Sequence, residues 1–120
     1  MHEFRIPGPR LLCIAILLLN DIAVSAASLV PHQADPTAAL ASLAGGYHAC
    51  HPLSADEVEA LPDLVLVRLV LSTLMIEYQL ANAPHLAAAV AAERPGTLAN
   101  LAAWLDIDPA RAADRIAENL

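Results

Sequence analysis

The sequence predicts an all-α protein, and three observations carry that prediction. Alanine and leucine dominate a chain that is 58% hydrophobic and only 3% aromatic, and both residues lose little side-chain entropy in a helix. The valines and isoleucines lie inside helix-like runs, and no stretch shows the apolar–polar alternation of a half-buried strand. Proline and capping residues then cut the chain into helix-sized lengths. Its 120 residues suit one modest domain or part of a larger one, and five to six helices are expected.

Leu11 to Leu19, LLCIAILLL, is an unbroken apolar run. Two readings of this N-terminus stand side by side. In the first, the basic start from Met1 to Arg10, the apolar run and the small residues Ala23-Val24-Ser25-Ala26 outline a secretory signal. In the second, Leu11 to Val30 is a buried helix with Asp21 as its one charge. The run is too short to span a bilayer, and lengthening it to Val30 would place Asn20 and Asp21 in lipid. No stable membrane span is expected.

Pro31 to Ala34 reads as a connector. Asp35-Pro36 gives an N-cap followed by proline at the first helical position, and the helix it opens is expected to stop near Gly45-Gly46. Tyr47 to Leu53 reads as a second connector. Ser54-Ala55-Asp56-Glu57 is a capping box, with serine at the cap and glutamate three residues on. Pro62 is expected to divide this stretch into a short helix, Ser54 to Ala60, and a longer one, Pro62 to Ala81. Between Leu64 and Leu80 only Arg68, Ser72, Thr73, Glu77 and Gln79 are polar, and a helix apolar on nearly every side belongs in a core. A helix from His85 to Glu93, a break at Pro95-Gly96, and an amphipathic segment from Thr97 to Leu105 bearing Trp104 come next. Asp108-Pro109 caps a last helix to about Glu118. No internal repeat is present.

The net charge is −7, and all six basic residues are scattered arginines. Nucleic acid, which calls for a basic patch, is not an expected partner. Two cysteines, Cys13 and Cys50, make no disulfide framework, so a reducing, cytoplasmic setting is the default; the signal-like start keeps a secreted or periplasmic location open.

Four groups of side chains bear on chemistry. His48, Cys50 and His51 are metal-ligand types, with His32, His85 or Cys13 as a fourth. Adjacent Cys50 and His51 before Pro52 form an awkward chelate, so the cluster reads as a connector and no metal is expected. Asp21 and Arg68 are each the lone charge of a strongly apolar helix, and read as an ion pair locking two helices rather than a catalytic acid and its partner. Tyr47 and Trp104 read as aromatics with an apolar body and a polar tip. The serines lack a Gly-x-Ser-x-Gly turn.

The order of the motifs is similar to the C-terminal helical part of the aminoglycoside phosphotransferase and choline kinase-like superfamily, in its homoserine kinase-like or hydroxylysine kinase-like branches. Asp21-Ile22-Ala23-Val24 resembles that family's Asp-Leu-Ala helix, and Asp35-Pro36 its next helix start. Gly46-Tyr47, Pro52-Leu53 and the acidic capping box follow, then Leu61-Pro62-Asp63-Leu64 leading to Arg68 and Ser72. The resemblance covers about Asn20 to Leu105. It implies that residues 20–120 are a helical subdomain of a protein-kinase-like C-lobe and that residues 1–19 lie outside it. It also implies that Glu77 could wall a substrate cleft, against its plain reading as a surface glutamate.

The family transfers phosphate from ATP with magnesium, using a lysine, a catalytic-loop aspartate and a metal-binding aspartate. This chain has no lysine, no His-Gly-Asp loop and no Asp-Phe-Gly-like triplet; in a relative of full length these would precede Asp21. The expectation is therefore a truncated kinase-like protein, a transferase-family fragment that is inactive alone. It has no catalytic, cofactor or metal residue of its own, and ATP and magnesium belong only to the whole fold. Its expected partner is a missing catalytic lobe or a second copy through the apolar helices. A small secreted helical protein and a stand-alone helical interaction module are the alternatives.

Overall fold

A computed structural model describes residues 9–120, with side chains described from Leu18 onward. Of the basic start in the signal-like reading, Met1 to Arg10, residues 1–8 lie outside the described residues, as does the Cys13 side chain. Among these residues five α-helices follow one another: α1 (Pro9–Leu29), α2 (Pro36–Cys50), α3 (Ala55–Asn82), α4 (Ala87–Leu105) and α5 (Pro109–Glu118). A single 3-10 turn, Pro84–Leu86, joins α3 to α4. No strand occurs among the described residues, as an alanine- and leucine-rich chain predicts. α1 runs through the expected boundary between residues 19 and 20 as one helix.

The helix starts obey their caps. Asp35 accepts the Ala38 amide at 3.2 Å, and Asp108 accepts the Ala110 amide at 3.0 Å. Ser54 and Glu57 close a full capping box, Ser54 N–H donating to Glu57 at 2.9 Å and Glu57 N–H to Ser54 at 3.2 Å. Each satisfies amides that the first helical turn leaves without partners.

Three expected breaks are absent. α2 passes through Gly45 and Gly46 to Cys50, absorbing the cost of about 1 kcal/mol that each glycine carries in a helix. Its buried residues Leu40, Ala41 and Ala44 hold it in place, and a side chain at Gly45 would press on Asn119, whose Nδ2 would lie 3.3 Å from the added carbon. α3 passes through Pro62, which is fully buried. The proline leaves the Val58 carbonyl without its helical donor, but Val58, Leu61, Val65 and Leu69 on the same side are all buried, and that packing outweighs the loss. α4 passes through Pro95 at an exposed position, where water reaches the freed Ala91 carbonyl.

α3 is the axis of the molecule. α1, α4 and α5 pack on it, and α2 packs on α5 and α1. The core gathers Ile22, Ala23 and Ala26 of α1, Leu40 and Ala44 of α2, Leu61 and Val65 of α3, Trp104 of α4 and Ile116 of α5. Trp104 Nε1 donates to the Pro62 carbonyl at 3.1 Å, so the indole satisfies its polar tip inside that core. α1 is not buried all round: Asn20, Asp21, Ser28 and Leu29 are exposed. Nor is α3, whose far half meets neighbours on one side only. With a radius of gyration of 16.5 Å, against about 13.6 Å for a compact domain of this length, the fold is drawn out along that helix.

Candidate functional site

The expected Asp21–Arg68 pair is not formed. Asp21 is exposed and accepts the Tyr47 hydroxyl at 2.9 Å, tying α1 to α2. Arg68 is half-buried, and the two ion pairs among the described residues, Glu77–Arg94 and Asp35–Arg115, do not include it. Asp21 sits on the side of α1 that meets α2. Arg68 instead lines a groove where α1, α3 and α4 meet, beside Val24, Ser28, Ser72, Thr97 and Asn100. Each side chain thus lies against a different neighbour.

Glu77 is exposed and accepts Arg94 Nε, bridging the free halves of α3 and α4. The His48 ring accepts the Leu53 amide at Nδ1, 2.9 Å away, and shapes the turn into α3. Cys50 is a free, exposed thiol. No cluster of three metal-ligand side chains occurs among the described residues.

One polar cluster escapes sequence reasoning. Arg115 of α5 donates to both carboxylate oxygens of Asp35, at 2.9 and 3.0 Å, and to the Thr37 hydroxyl at 2.6 Å. Thr37 also donates to Asp35 at 3.0 Å. The Arg115 guanidinium, then the Ala38 amide, then Thr37 hold the Asp35 carboxyl below its ordinary pKa. Asp-Pro announces the cap, but nothing local announces a partner 80 residues away.

Two further open grooves flank α3. One, of about 440 Å³, lies between the start of α3 and α5, with Leu53, Val58, Glu59 and Asp114 among its walls. The other, of about 510 Å³, lies between α3 and α4, with Arg68, Met75, Gln79 and Glu93 among its walls. No charged or polar residue is buried among the described residues. Ser72 and Thr97 also line the second groove, and their hydroxyls donate to the backbone carbonyls of Arg68 and Glu93, at 2.9 and 3.2 Å.

The largest departure from an ordinary surface is apolar. Val67, Val70, Leu71, Leu74, Met75 and Tyr78 all point outward from α3, between 39% and 65% exposed. A contiguous patch of this kind marks an interaction surface far more often than scattered single residues do. α3 is also long and apolar enough, by length and composition, to cross a membrane. No family model, curated protein or solved structure matches the chain.

Proposed function

We propose that this chain is a helical interaction piece of phosphotransferase-like ancestry, the C-terminal helical part of a small-molecule kinase fold, silent in catalysis on its own. It works by binding protein through the outward face of α3, and it does so in the cytoplasm. The observation that carries this reading is the row of six large apolar side chains left in solvent on a helix whose opposite side is tightly packed. Burying such a row is worth roughly 25 cal/mol for each Å² removed from water, which favours a covered state over a bare one. The motif order from Asp21-Ile22-Ala23 to Leu61-Pro62-Asp63 supports the ancestry. The lack of any lysine supports the silence, because the family grips the nucleotide phosphates with one.

The test is ADP release by the purified chain with ATP, magnesium and a panel of amino-alcohol and aminoglycoside acceptors. No release above the enzyme-free background is expected. Turnover of any acceptor would overturn the proposal.

A further inference from the structure

The exposed row on α3 has a spacing that its hydrophobicity alone does not explain. Val67, Leu71, Leu74 and Tyr78 recur at intervals of four, three and four residues, and half-buried Ala60 and Leu64 continue the pattern back toward the start of the helix. That is the a/d seam of a coiled coil, with Leu64, Leu71 and Tyr78 at a and Ala60, Val67 and Leu74 at d. The seam lies opposite the inward side formed by Val58, Leu61, Val65, Leu69 and Ile76. One helix therefore carries two apolar faces, and the second is covered within the chain only near its start, where Leu64 packs on the core.

The positions beside the seam choose the occupant. Asp63, Val70 and Glu77 fall at g; Arg68, Met75 and Asn82 fall at e. In a parallel pair of identical helices, each g position meets the e position five residues on in the other chain. This matches Asp63 with Arg68 and Val70 with Met75, while Glu77 keeps Arg94 of its own chain. An acid meets a base, and an apolar residue an apolar one. An antiparallel pair centred on Val70 would bring Asp63 against Glu77 of the other chain, two carboxylates. Asp63 is exposed, and Arg68 has no acidic partner among the described residues.

We infer that the outward face of α3 is the seam of a parallel dimer, in which a second copy of this chain covers Val67, Leu71, Leu74 and Tyr78 and its Arg68 pairs with Asp63 across the interface. The inference rests on the reading that this face binds protein, and it names the partner. A lipid surface fits less well, because the charged Asp63, Arg68 and Glu77 stand beside the seam and the opposite side of the same helix is locked in the core.

Sedimentation equilibrium of the full chain, over concentrations on the order of 1 to 500 µM, tests it. The wild-type chain is expected to pass from monomer to dimer across that span, and Leu74→Glu to remain monomeric. Asp63→Arg and Arg68→Asp are each expected to weaken the dimer about tenfold, since each replaces two attractive pairs by two repulsive ones. The double variant Asp63→Arg/Arg68→Asp restores the pairs with their signs exchanged and is expected to dimerise within about twofold of wild type. A misfolded Arg68→Asp chain could not be rescued in this way. A dimer broken by Leu74→Glu but not restored by the double variant overturns the parallel register. A chain monomeric at every concentration, and not recovered on phosphatidylcholine–phosphatidylglycerol vesicles, overturns the second copy and leaves the face to a different polypeptide. A dimer untouched by Leu74→Glu, or a monomer that floats with the vesicles, overturns both the seam and the reading beneath it.

Discussion

From Ala55 to Leu69, α3 carries Val58, Leu61, Pro62, Val65 and Leu69 into a core shared with α1, α2, α4 and α5; from Val70 to Asn82 it carries only Ile76 fully inward. The two halves have a similar hydrophobic share but different surroundings. The first is enclosed because α1, α5 and the end of α4 converge on it. The second keeps the early part of α4, where Val90 is buried, and presents the rest to water. Hydrophobic sequence reports a need for burial. It does not report whether the neighbour that meets the need belongs to the same chain.

The sharpest way to break this comparison is to truncate one leucine in each half. Leu61→Ala, at a fully buried position, is expected to cost about 2–5 kcal/mol, the usual range for a buried leucine whose cavity only partly collapses. Leu74→Ala, at a position 59% exposed, is expected to change the stability of the monomer by less than about 0.5 kcal/mol. Urea unfolding followed by circular dichroism at low protein concentration measures both. Equal losses at the two positions would mean that the second half is not bare.

A smaller effect comes from pH and acts only beside the enclosed half. Arg115 and two neighbouring donors hold the Asp35 carboxyl below its ordinary pKa. A depressed carboxylate adds stability that is fully present above the unfolded-state pKa and is lost as pH falls through the lower folded value. Between neutral pH and that window the contribution is flat. Acid unfolding of Asp35→Asn should therefore show a shallower loss than wild type over the window, read from urea midpoints at a series of pH values. An identical slope would show that the Arg115 contact is not maintained in solution.

The smallest expected effect lies in the free half. Arg94→Gln removes the ion pair with Glu77, whose two side chains are each 48% exposed. Its cost should be at most about 0.5 kcal/mol and should vanish in high salt. A loss above about 1 kcal/mol would show that this arm is held by more than α4's packing.

Much of the fold was legible in local chemistry. Asp35, Ser54 and Asp108 announce helix starts through side chains that satisfy amides within three residues, and all three caps are formed. The ends were less legible, because Gly45 and Pro62 are local breakers overruled from a distance, and Pro95 is one carried through at an exposed position. Pro62 is retained by a buried ring and by an indole from Trp104, 42 residues away, and Gly45 lies beneath Asn119. The polar partners were the least legible. A lone charge in an apolar helix predicts that a partner is needed, but the choice between Tyr47 and Arg68 for Asp21 depends on which way α1 is rolled. The helical character of the chain thus follows from composition and caps. Its phosphotransferase ancestry stays a proposal drawn from motif order.

The unbroken passage of α3 through Pro62 has a mechanical consequence. The helix is 28 residues long, a rod of about 42 Å, clamped over its first half and projecting over its second with α4 folded back along it. Such an arrangement is a cantilever. A load applied near Leu74 or Tyr78 becomes a torque at the clamp, where the buried proline ring and the Trp104 indole meet. Whatever grips the tip therefore strains the root, and the fluorescence of the chain's single tryptophan is a built-in gauge of that strain.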